Sequence, residues 1–103
     1  MAELINIRTS VLDIACEQRG QADATPIVLL HGFPYDPRGY DDVVAILNQA
    51  GFRTIVPWLR GYGATRFLSP ETPRSGEQAA LGHDLLELLE AGKLPRSVLA
   101  GFD

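Results

Sequence analysis

"PIVLLHG", Pro26 to Gly32, is a continuous apolar run that ends on a histidine and a glycine. A run without polar alternation fits a strand buried on both faces, as the strands of a parallel sheet are. Two more runs of this kind follow: "FRTIVPW" (Phe52 to Trp58) and "RSVLAGFD" (Arg96 to Asp103). Between the first two, a helical pattern from about Asp41 to Ala50 puts Val43, Val44, Ile46 and Leu47 on one side, with Gly51 as its stop. Between the last two lies a loop from Leu59 to Arg74 rich in Gly, Pro, Ser and Arg, and then a second helix. Ser75 and Gln78 have the spacing of a capping box. Leu81, Leu85, Leu88 and Leu89 have the spacing of an apolar face, and Gly92 is placed to end the helix with a positive φ.

Upstream, "LINIRT" and "VLDIACEQRG" alternate apolar and polar residues and predict a β-hairpin with one buried face. The order strand, helix, strand, helix, strand is an α/β order, and right-handed crossovers make the three later strands parallel. Open parallel sheets bind ligands at the carboxyl ends of their strands. That rule selects two places: "HGFP" (residues 31 to 34) and "GFD" (residues 101 to 103).

A chain of 103 residues with 46% hydrophobic content can fill one small domain and no more. Its formal charge of -4, with scattered basic residues, argues against a nucleic-acid or anionic-membrane partner and for a small molecule. Cys16 is the single cysteine and has no internal disulfide partner; it reads as a small buried residue. There is no apolar run of membrane-spanning length and no signal-peptide pattern, so the default expectation is a cytoplasmic protein.

"VLLHGFP" resembles the strand and HGxP oxyanion loop of the α/β-hydrolase fold family, and "RGYG" (Arg60 to Gly63) is similar to the loop after that family's next strand. "VLAGFD" resembles the strand that enters the nucleophile elbow, whose pattern is small-x-nucleophile-x-small. The resemblance covers nearly the whole chain in order and spacing. It implies an α/β fold, the N-terminal part of an α/β-hydrolase sheet: an antiparallel hairpin followed by parallel strands with crossover helices. Residues 1–103 would be the first portion of one domain, ending at the elbow.

Asp at the elbow resembles the epoxide hydrolase and haloalkane dehalogenase branch. The resemblance implies Asp103 as a nucleophile that forms a covalent alkyl ester, with no metal and no cofactor. It implies the backbone N–H of Phe33 as one oxyanion donor and the residue after Asp103 as the other. Phe33 and Pro34 would also face the substrate, and His31, Gly32 and Arg60 would support the loops. The water-activating histidine, the second acid and the lid would lie beyond residue 103, on a second chain or a further segment. The isolated fragment is expected to be inactive.

Two other readings stay open. A fluoroacetate-type haloacid dehalogenase also resembles "HGFP" with a G-x-D elbow, and a non-catalytic binding protein could keep the fold without the chemistry. Taken singly, Asp103 could be an ordinary carboxylate after a strand, and His31 is more simply a hydrogen-bonded structural residue than a base. His83 sits in a plain amphipathic helix. Arg60 could bind an anion or hold its loop through backbone carbonyls, Trp58 and Tyr62 read as packing residues, and the leucines from Leu81 to Leu89 as core.

Overall fold

The computed structural model describes residues 3–32, 36–72, 74, 78–94 and 96–101. Strands β1 (Glu3–Arg8) and β2 (Leu12–Arg19) form the expected antiparallel hairpin, with Ile5 opposite Cys16 and Ile7 opposite Ile14. Strand β3 (Pro26–Leu30) leads through a 3-10 turn (Pro37–Tyr40) into helix α1 (Asp41–Gln49). Strand β4 (Arg53–Pro57), a two-residue strand β5 (Arg66–Phe67), helix α2 (Gln78–Ala91) and strand β6 (Val98–Gly101) complete the order.

The main path of the sheet runs β1-β2-β4-β3-β6, with β5 paired to β2. β2 pairs antiparallel with β4 and so joins the hairpin to the parallel half, where β3 lies between β4 and β6. Successive side chains of a strand point to opposite faces. Val28 and Ile55 therefore enter one core with Leu12, Ile14, Cys16, Leu88 and Leu94. Ile27, Leu29 and Val56 enter the other, with Tyr40 and Val44. This two-sided burial is why β3 and β4 read as unbroken apolar runs. The first core lies under α2 and the second under α1.

Several local expectations change in the fold. On α1 only Val44 is fully buried, while Val43 and Ile46 are exposed, because the helix rests on the sheet along the line of Tyr40, Val44 and Leu47. On α2 Leu88 is buried and Leu85 and Leu89 pack against the same core, but Leu86 points outward and is not core. β6 is exposed along its length, not buried: it bonds β3 on one side, and none of the described elements covers it. β5 falls inside a stretch that reads as loop, since two residues are too few for a periodic signal.

The positive φ at the end of α2 belongs to Lys93, at 57°, and not to Gly92. The Gly92 amide still bonds the Leu88 carbonyl at 2.8 Å, so the helix turn continues through it, and the Leu94 amide closes back on the Leu89 carbonyl. Gly92 is small for another reason: a Cβ there would lie 3.1 Å from Ile7 Cδ1 and 3.0 Å from the Leu88 carbonyl. Gly51 does end α1, at φ +94°. Ser75 of the expected capping box lies outside the described residues.

Candidate functional site

The carboxyl ends of β3, β4 and β6 open onto one cavity of about 700 Å³ between the sheet and α2. His31 and Gly32 reach it from β3, Trp58 to Arg60 and Tyr62 from β4, and Gly101 from β6. Leu81, Asp84 and Leu85 of α2 form the facing wall. The described residues of both places selected by the carboxyl-end rule, His31, Gly32 and Gly101, thus line one cavity together with Arg60 and Tyr62. Of the site residues expected from the sequence, Phe33, Pro34 and Asp103 lie outside the described residues, and His31, Gly32 and Arg60 lie within them.

The segment after β4 is fastened at several points. The Trp58 amide donates to the Ala15 carbonyl at 2.9 Å. The Thr65 hydroxyl donates to the Trp58 carbonyl at 2.7 Å and accepts from the Ala15 amide at 3.0 Å. Gly63, at φ +51°, lets the backbone pass under the Trp58 indole; a Cβ would come within 2.3 Å of that ring.

Arg60 bonds Asp84 through Nε and Nη2, each at 2.7 Å. The hydrogen bond that Arg60 donates to Asp84 raises the guanidinium pKa above its ordinary value, so it remains a cation. Its face also lies 5.3 Å from the centre of the Phe67 ring, which Arg74 approaches as well, at 3.9 Å. A carboxylate on α2 is thus a polar partner of Arg60.

His31 is buried. Its Nε2 accepts from the Leu59 amide at 3.1 Å, and its Nδ1 lies 3.2 Å from the Gly32 carbonyl oxygen. Tyr62 meets the imidazole edge-on, with centroids 4.7 Å apart. Trp58 and Tyr62 both pack within the loops and line the cavity. His83 is exposed on α2 with Nε2 2.7 Å from Glu87 Oε2.

Sequence reading missed Asp84 and Thr65. Asp84 had a usable signal: it lies on the α2 stripe of Leu81, Leu85 and Leu88, where a charge is out of place unless a partner meets it. Thr65 had none, since its two partners come from β2 and from the start of its own loop. Among the described residues no group of three or more His, Cys, Asp or Glu could hold a metal ion, and no helix is long and apolar enough to cross a membrane.

The same architecture recurs in a crystal structure from Klebsiella pneumoniae that carries the name "putative epoxide hydrolase". It matches 98% of this chain and 33% of its own at a TM-score of 0.94 and 46% identity. The fold is that of the α/β hydrolases. The chain corresponds to the N-terminal part of such folds. A Bacillus subtilis protein, AB hydrolase superfamily protein YfhM, is 30% identical over 97 residues, 94% of this chain and 33% of that protein. A Synechocystis protein named "Putative non-heme chloroperoxidase" is 35% identical over 95 residues, 91% of this chain and 32% of that protein. No protein-family profile matches. The chain spans about a third of the length of these curated relatives. In α/β-hydrolase terms, the cavity lies at the carboxyl edge of the sheet's parallel strands.

Proposed function

We propose that the chain is the N-terminal portion of a hydrolase that opens epoxides through a covalent ester on Asp103. The observation that carries this reading is the end of β6. Gly101 lies on the wall of the cavity that His31 and Gly32 also line. Asp103 follows Gly101 by two positions in the sequence. The name of the Klebsiella relative and the G-x-D pattern support the same substrate class.

In the proposed reaction a carboxylate oxygen of Asp103 attacks an epoxide carbon. The carbon–oxygen bond of the ring breaks, and the released alkoxide takes up a proton. Water, deprotonated by a histidine beyond residue 103, then adds to the ester carbonyl. The amides of Phe33 and of the residue after Asp103 stabilise the resulting oxyanion, and collapse returns the carboxylate and a diol. The second acid, the histidine and the lid come from the remainder of the protein, on the same chain or a second one. The 103 residues alone are inactive, and no metal or cofactor takes part.

The test is to trap the intermediate in the whole protein after its water-activating histidine is replaced. Intact mass should rise by one substrate equivalent, mapped to Asp103. No adduct, or one on another residue, overturns the assignment. The name of the Synechocystis relative favours a second reading, halide oxidation. Peroxide-dependent halogenation without an alkyl adduct would select that reading.

A further inference from the structure

Two residues of opposite charge sit on the wall of a largely apolar cavity. Among the described residues that line it, Arg60 and Asp84 alone carry a formal charge at neutral pH. The aliphatic wall comes from Leu12, Ile14 and Leu30 of the sheet and from Leu81 and Leu85 of α2. His31 adds no charge, because its Nε2 accepts from the Leu59 amide and an imidazolium has no nitrogen that accepts.

The two charges are committed to each other. Asp84 stands three residues after Leu81 and four before Leu88, on the α2 face that brings all three to the cavity wall. Its Oδ2 accepts from Arg60 Nε and its Oδ1 from Arg60 Nη2, each at 2.7 Å, so both carboxylate oxygens and one edge of the guanidinium are used. Both side chains are nearly buried, so salt and water screen the pair little. Arg74, the other cation beside Phe67, is exposed, bonds the Ser69 and Thr72 carbonyls and does not line the cavity.

A fork of this shape is the geometry with which an arginine takes a carboxylate from a ligand. Here a carboxylate of the chain already fills it. We infer that Asp84 is a specificity-determining residue: by occupying the Arg60 fork it withholds that cation from ligands, so the cavity takes uncharged substrates and turns away those that carry a carboxylate. An anionic ligand would have to displace Asp84 and leave that carboxylate buried without its partner. The inference rests on the proposed function in taking this cavity as the substrate site. It separates two substrate classes that the sequence leaves open, since a neutral epoxide needs no cation to hold it and a haloacid does.

The experiment uses phenylacetamide and phenylacetate, which share a shape and differ in charge, as non-reacting probes of the whole protein. Dissociation constants come from NMR titration at constant salt. The parent should bind the amide at least about tenfold more tightly than the carboxylate. Asp84→Asn keeps the shape of the side chain and removes its charge, and Asp84→Ser removes the bulk as well. Each should strengthen phenylacetate about 10- to 100-fold relative to phenylacetamide, the worth of a hydrogen bond to a charged group. In R60M/D84L both charges are gone, and the preference should return to the amide. Asp103 is present in every variant, so its own charge cancels from the comparison.

A purely structural role for Asp84 would weaken both probes together and leave their ratio unchanged; that result overturns the inference. So does a parent that takes phenylacetate as well as phenylacetamide, a parent that takes neither, or a gain in phenylacetate binding that survives in R60M/D84L. The parent's preference is read without any variant, so the test does not depend on how well the single variants fold. Failure of the reaction reading shows separately: with no ester on Asp103 but ratios in the expected order, the covalent mechanism falls and the charge selection at Asp84 stands.

Discussion

Arg60 and Asp84 meet in a two-pronged ion pair, with both contacts at 2.7 Å and side chains only 10% and 12% exposed. The pair joins the loop after β4 to the middle of α2 across the cavity, so the chemistry of a single helix position governs how that loop is held. Breaking a buried pair leaves one charge uncompensated, whereas removing both charges does not. Asp84→Leu alone should destabilise the protein by about 2–4 kcal/mol, and the double variant R60M/D84L by about 1 kcal/mol or less. Denaturant unfolding of the parent, both single variants and the double variant measures this. Losses that simply add would contradict the account.

Gly61 and Gly63 separate two costs that usually arrive together. Both have positive φ, +81° and +51°, but only at Gly63 would a Cβ strike a neighbour, the Trp58 indole. Gly61→Ala should cost about 1 kcal/mol of backbone strain. Gly63→Ala should cost about 2–4 kcal/mol, because strain and overpacking combine. Equal melting temperatures for the two variants would remove the steric argument for a glycine beneath Trp58.

Glu87 ties α2 to the hairpin turn. Its carboxylate accepts from the hydroxyl and the amide of Ser10, and these hydrogen bonds, with His83 beside it, hold its pKa below the ordinary 4.5. A lowered folded value means that the folded state favours the ionised form. The stabilisation is therefore complete above 4.5 and is lost as pH falls through the lower folded value. Compared with E87Q, the parent should be more stable near neutral pH, and the gap should close in acid. A gap that widens on acidification would reverse the sign of the argument.

Cys16 has no exposed surface, and burial pushes its thiol up to about 12. A thiol reagent needs thiolate and access, and the folded protein offers neither at this position. Labelling of Cys16 should be negligible in the native state and complete in denaturant, as read by peptide mass. Fast native labelling would show that the core beneath α2 opens.

The hairpin, the two buried central strands and both helices were legible because each is written in a local period: two for β1 and β2, an unbroken run for β3 and β4, and the helical spacing of Leu81, Leu85 and Leu88. The cavity was legible one step further on, since "HGFP" and "GFD" end parallel strands. Local period did not say which apolar residues of a helix would be covered. Val43, Ile46 and Leu86 read as core and are exposed all the same, because the helices turn Tyr40, Val44 and Leu47, and Leu85, Leu88 and Leu89, to the cores instead.

By itself the sequence determined the order and type of the elements, the α/β class, and the residues that deserve attention at the strand ends. Tertiary structure alone decided that Arg60 answers to Asp84, that His31 links Gly32 to Leu59, and that Lys93 rather than Gly92 takes the positive φ. The physical reason is range. A periodic signal spans a few residues, whereas the Arg60–Asp84 and His31–Leu59 contacts join positions 24 and 28 apart. Such contacts exist only once β3 and β4 lie side by side and α2 folds across their ends.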